Sequence, residues 1–100
     1  MHVIKRKALI DFWERPGCED AQPALEAWYR EAKTAHWNDP ADIKSKYGTA
    51  STLKGGRVVF NIRGNKYRLI VEINYKSGVV YIRFIGTHRE YDDIDAELIK

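Results

Sequence analysis

"RVVFNIRGNKYRLIVEINYKSGVVYIRFI" (residues 57–85) decides the fold. The run is rich in Val, Ile, Tyr and Phe, which suit a pleated surface, and turn residues break it at Gly64–Asn65 and Lys76–Gly78. Three antiparallel strands follow. If Gly64 and Asn65 form a two-residue hairpin loop, Arg63 faces Lys66, Asn61 faces Arg68, Val59 faces Ile70 and Arg57 faces Glu72. The opposite side then receives Ile62 with Tyr67, Phe60 with Leu69, and Val58 with Val71. A second turn keeps the parity if Ile73 faces Val80, Val71 faces Ile82 and Leu69 faces Phe84. Tyr81 and Arg83 thereby join the polar side. One face is apolar; the other gathers Arg63, Lys66, Arg68 and Arg83 with Asn61 and Tyr81.

The apolar face needs a cover, and the upstream sequence supplies one. After a short strand at "HVIK", Ala8, Leu9, Phe12 and Trp13 recur at the spacing of one helical face, which "RPG" at 15–17 ends. A second helix is expected from about Asp20, with Pro23 in its first turn and Leu25, Trp28, Tyr29 and Ala32 as its apolar stripe. Asp39 followed by Pro40 starts a one- or two-turn helix that runs to about Gly48. Helices followed by a meander give an α+β class: a small, antiparallel-rich sheet with two N-terminal helices packed on one face. Residues 1–100 are expected to form one domain, because a second core does not fit in this length.

The composition is that of an ordinary soluble globular chain, with 17 Lys and Arg against 14 Asp and Glu for a net charge of +3. So small an excess matters only if the two signs separate in space. The single cysteine, Cys18, excludes an internal disulfide and suits a reducing compartment. The N-terminal apolar stretch is too short and too charged for a signal peptide, and nothing approaches the roughly 18 apolar residues of a membrane span. A cytoplasmic location without membrane association is expected.

Like charges gathered on a sheet repel, so the cationic face is destabilising unless an anion visits it. Solvated surface charge is the plain alternative. A polyphosphate chain suits the site better: a guanidinium fork binds two phosphate oxygens, and Tyr81 offers a ring on which an unpaired base can stack. Lys54 and Arg57 in "KGGR" lie close enough in sequence to contribute, although the segment lacks a phosphate-loop pattern. Arg89 adds a cation beside the last strand. In "GTHREYDDID" (86–95), His88 and Tyr91 follow the strand that carries Arg83, which brings an imidazole and a phenol to the rim of the basic face. RNA carries its own 2′-hydroxyl nucleophile, so cleavage needs a base, an acid and cations for the charged phosphorane, without a metal. No cofactor is expected. Asp92, Asp93 and Asp95 read as acids of a helix start, and no His or Cys pair has zinc spacing. Trp13, Trp28 and Trp37 belong with the helical stripes, hence with the core.

Three blocks together, "MHVIKRKAL", "FNIRGNKYRLIVEI" and "VYIRFIGTHREYD", resemble the HigB-type toxins of bacterial type II toxin–antitoxin modules, within the RelE-like superfamily. The resemblance covers nearly the whole chain. It implies an endoribonuclease, an mRNA interferase that cuts messenger RNA and usually works on translating ribosomes, restrained by a helix-turn-helix antitoxin of the HigA kind. By the same resemblance the superfamily's central-strand arginine falls on Arg68, and its C-terminal acid–base position on Tyr91 or His88. Arg83, Arg63 and Lys66 match places where relatives hold phosphates. The alternatives are a noncatalytic RNA- or protein-binding module on the same sheet, or an inactive relative that retains only antitoxin binding.

Overall fold

A computed structural model describes residues 1–100. The chain runs through β1 (His2–Ile4), α1 (Arg6–Trp13), a 3-10 turn (Glu19–Ala21), α2 (Gln22–Thr34), α3 (Pro40–Lys46), β2 (Ser51–Thr52), a second 3-10 turn (Lys54–Gly56), β3 (Arg57–Ile62), β4 (Tyr67–Asn74), β5 (Val79–Thr87) and α4 (His88–Asp92). The strands form one mixed sheet in the order β1-β5-β4-β3-β2, with β1 parallel to β5 and the other pairs antiparallel. The sheet therefore has five strands where the meander alone gave three. "HVIK" does form a strand, but its partner is 75 or more residues away, and the two-residue β2 is too short to leave a periodic signal.

The helices form where the apolar spacing placed them. Leu9 and Phe12 of α1, and Leu25, Trp28 and Ala32 of α2, are buried. Asp39 is extended and its carboxylate accepts the Asp42 N–H at 3.1 Å, satisfying a donor that the first turn leaves free, while Pro40 follows with no N–H to lose. These helices lie against Val58, Phe60, Ile62, Tyr67, Leu69, Val71, Ile73, Val80 and Ile82, all buried in one cluster. Trp28 meets the Phe60 ring edge-on at 5.5 Å, and Tyr47 does so at 5.0 Å. Each such side chain contributes about 1.5–3 kcal/mol on burial, so this layer outweighs any surface ion pair.

The first hairpin has the register that parity dictates, from Arg57 opposite Glu72 to Ile62 opposite Tyr67. There the ladder stops. Arg63 and Gly64 both take positive φ (52° and 66°), and Lys66 N–H donates to the Arg63 carbonyl, so residues 63–66 form a four-residue turn and not a two-residue loop.

The second hairpin departs from expectation in a way that matters for the site. Ile73 faces Val80 and Val71 faces Ile82, as expected, but Ile70 then faces Phe84 and Leu69 faces Ile85. One extra residue, Arg83, sits in a β-bulge opposite the Ile70–Val71 step. Leu69 is thus not paired with Phe84. Beyond the bulge the parity reverses: Ile85 packs on the helix-side core, while Phe84 and Gly86 turn to the other face.

Candidate active site

Three rows of residues cross the face that the two N-terminal helices leave free. Arg57, Glu72 and Tyr81 form the first, Val59, Ile70 and Phe84 the second, and Asn61, Arg68 and Gly86 the third. Arg83 projects from the bulge between the first two.

The first row is internally compensated. Arg57, expected to reach nucleic acid, is only 9% exposed. Its Nη2 lies 3.3 Å from Glu72 Oε1, and its Nη1 donates to the Ala96 carbonyl at 3.2 Å and to that of Ile99. The same Glu72 oxygen stands 3.3 Å from Arg83 Nε, and the Arg83 guanidinium lies 4.9 Å from the Tyr81 ring centre. Arg57 thereby pins the C-terminal segment across this end of the sheet. Val59 and Ile70 beside it are buried although they lie outside the helix-side core. The expected fully uncovered face is therefore roofed at its Arg57 end.

The third row is different. Arg68 is half-buried, and its Nη1 donates to the Asn65 carbonyl at 3.1 Å. Its guanidinium stands 5.6 Å from the Tyr91 ring centre, and no carboxylate pairs with it. Asn61, across from it, is also half-exposed.

The short helix α4 holds Tyr91 there. Thr87 Oγ1 accepts the Glu90 N–H at 3.1 Å and Glu90 Oε1 accepts the Thr87 N–H at 2.9 Å, a reciprocal cap. Arg15, just beyond α1, grips both Glu90 oxygens at 3.3 and 3.2 Å. The Thr87 N–H, and then Arg15, hold the Glu90 carboxyl below its usual range. His88 N–H donates to the Lys66 carbonyl at 3.1 Å, and His88 Nδ1 lies 3.2 Å from Asp92 Oδ2 one turn on. His88 and Tyr91, three residues apart, are neighbours on the helix surface. The stretch "THREY" (87–91) is thus a helix cap as well as the carrier of the two candidate proton-transfer groups.

Arg63 and Lys66 do not join Arg68. Asp20, at the entry to α2 on the helix-covered side, draws them over: Lys66 Nζ lies 2.5 Å and Arg63 Nε 3.0 Å from its Oδ2. The buried Tyr67 hydroxyl donates to the other oxygen. Hydrogen bonds from Lys66 and then Tyr67 lower the Asp20 pKa, and the bond to Asp20 raises that of Lys66. The expected row of four cations on one face is therefore split between two acids and one free arginine, because Asp20 arrives from a part of the chain that strand parity does not register.

Lys54 is exposed in the 3-10 turn before Arg57, roughly 13 Å or more along β3 from the Asn61 row at about 3.3 Å per residue. Arg89 is exposed on α4. Trp28 and Trp37 are buried and Trp13 packs on the same core. Sequence reasoning missed Asp20, Glu90 and Phe84. The Thr87-x-x-Glu90 spacing was a readable sign of the second, and the isolated Gly86 within a strand of the bulge behind the third.

No helix is long and apolar enough to cross a membrane. Residues 21–94 match the model of a family described as HigB toxin, the RelE-like toxic component of a toxin–antitoxin system. The chain is 30% identical over 94 residues to the mRNA interferase toxin HigB of Escherichia coli, spanning 92% of this chain and 88% of that one. The mRNA interferase HigB of Shigella flexneri shows the same identity and coverage. A second Escherichia coli mRNA interferase HigB, from strain CFT073, is 28% identical over 96 residues, 94% of this chain and 91% of the relative. A mixed sheet backed by N-terminal helices, a closing "THREYD" helix set against a strand arginine and a family match across 21–94 lead to one assignment: the chain belongs to the HigB toxin family of RelE-like toxins.

Proposed function

We propose that residues 1–100 act as one toxin domain, an endoribonuclease that cleaves mRNA in the cytoplasm, on translating ribosomes, and is restrained by a helix-turn-helix antitoxin of the HigA kind. The observation that carries the reading is Arg68: of the three cations on the strands themselves, Arg57, Arg68 and Arg83, it alone lacks a carboxylate partner, and it stands against Tyr91. A buried or half-buried cation without an anion is costly, and an arriving phosphate removes that cost.

In the reaction the RNA 2′-oxygen bonds to phosphorus and the bond from phosphorus to the 5′-oxygen breaks. His88 or Tyr91 takes the 2′-hydroxyl proton, and the other, or water, returns one to the leaving 5′-oxygen. Arg68 stabilises the dianionic phosphorane, and Arg83, across the Phe84 ring from it, adds positive charge to the same face. Asn61, Tyr81 and Arg89 line the approach for flanking nucleotides, with Arg63 and Lys66 at the hairpin tip.

The test is incubation of the purified protein with RNA, with and without translating ribosomes, followed by end mapping. Products with 5′-hydroxyl and 2′,3′-cyclic phosphate ends, lost with Arg68→Ala, support the reading. Binding without cleavage under both conditions overturns it in favour of a noncatalytic module.

A further inference from the structure

Phe84 is a large apolar ring on the wrong side of its sheet. The bulge at Arg83 turns it away from the helix-side core, which Ile85 joins in its place. A strand without the extra residue would bury Phe84 and expose Ile85. Bulges are a recurrent means of re-aiming a side chain beside an active site. Phe84 remains partly accessible to solvent.

Its place on the face is fixed by Gly86. A Cβ at Gly86 would stand 2.5 Å from Phe84 Cζ and 3.0 Å from Cε1, so the ring tip fills the space that a side chain there would need. Gly86 has no positive φ that would demand glycine. What demands it is the ring. Gly86 is the β5 partner of Arg68. The aromatic surface is thereby delivered to the strand position facing the strand arginine that has no carboxylate partner, with Tyr91 over that guanidinium and Tyr81 and Arg83 on the other side of the ring.

From this arrangement we infer that Phe84, seated on Gly86, is a stacking site for a nucleobase of single-stranded RNA whose phosphate is held by Arg68. The inference rests on the RNA-cleavage reading for its substrate class and deepens it by naming where a base sits. Every base has a π-face, so the site tolerates sequence, with purines favoured by their larger stacking area. A Phe ring on a face of cations supplies what phosphate contacts lack: contact with the base itself.

The experiment is titration of the protein into a short single-stranded RNA containing 2-aminopurine, whose fluorescence falls on stacking, with cleavage followed separately. The parent is expected to quench the probe. Phe84→Ala should weaken binding about 5- to 150-fold, the range of 1–3 kcal/mol per stacked base, and lose the quench. Phe84→Trp should keep both. Phe84→Leu, which preserves an apolar side chain over Gly86 and so guards against a folding defect in the alanine variant, should fold as the parent does and still lose the quench. Equal quenching by parent and Phe84→Leu, or none by the parent, overturns the stacking site. A parent that quenches through Phe84 but never cleaves leaves the stacking site standing and removes the nuclease reading. A parent that cleaves with unchanged sites and affinity in Phe84→Leu does the reverse.

Discussion

The Arg68 guanidinium lies 5.6 Å from the centre of the Tyr91 ring, joining the third row of the sheet to a helix 23 residues further along. Opposed to it across the hairpin is Asn61, not an acid. Arg68→Ala should lower the rate of RNA cleavage about 100- to 1000-fold, the usual effect of losing one group that stabilises transition-state charge. Its melting temperature should move little, since no ion pair is broken. Comparable losses of activity and stability would mean that Arg68 is structural.

Tyr91 and His88 separate by paired substitutions. Tyr91→Phe keeps the ring against Arg68 and deletes only the hydroxyl, so a fall of about 100- to 10,000-fold in kcat identifies Tyr91 as a proton-transfer group. If that variant is active while His88→Ala falls by the same measure, the imidazole carries the proton. Parent rates in both would dismiss both roles.

The cap of α4 is predicted to matter more for rate than for stability. Thr87→Ala removes the side-chain acceptor of the Glu90 N–H and should cost about 0.5–2 kcal/mol in urea unfolding. Because Tyr91 hangs on that helix, kcat should fall further than such a loss explains under conditions where the variant is fully folded. Thr87→Ser, which retains the acceptor, should restore both.

The Asp20 cluster gives a pH signature. Asp20 titrates below its ordinary 3.8, so its stabilisation is complete above that value and is lost as pH falls through the depressed folded value. Lys66 titrates above its ordinary 10.5, so its contribution is complete below 10.5 and fades as pH rises through the elevated one. The difference in melting temperature between parent and Asp20→Asn should be flat from about pH 5 to 9 and shrink toward pH 3. A difference that does not vary with pH would show that the carboxylate charge is irrelevant.

Arg57 is predicted to hold the C-terminal segment. Arg57→Met leaves Glu72 paired with Arg83 but deprives the Ala96 and Ile99 carbonyls of their donor, at a cost of about 1–3 kcal/mol. The Leu98 and Ile99 amides, which donate to the Asp95 carbonyl, should exchange with solvent faster while those of β4 do not. Unchanged exchange at 98 and 99 would remove the strap role.

Local rules made much of this molecule legible. The Asn61–Arg68 and Val58–Val71 pairings followed from a two-residue period and a Gly-Asn turn, because a slip by one would turn every apolar side chain outward. Asp39–Pro40 announced α3 through the chemistry of its first turn. The Arg83 bulge escaped, since Tyr81-Ile-Arg-Phe-Ile85 fits an unbroken alternation as well as a broken one, and Gly86 marks an irregularity nearby without saying which residue is extra. The candidate site was legible to the extent that it depends on those same rows: Arg68, Asn61, Tyr81 and Arg83 share a face, with Tyr91 at its edge.

The sequence by itself determined the main helices, the three strands of the meander and the first hairpin register, and it supplied the candidate residues for phosphate chemistry, all from properties carried by neighbours within a few positions. Which cations remain free was decided only in three dimensions. Asp20 reaches Lys66 across 46 residues and Glu72 is shared between Arg57 and Arg83, so cations are paired by contacts that no local period encodes, and Arg68 stays without a carboxylate partner because nothing acidic folds against it.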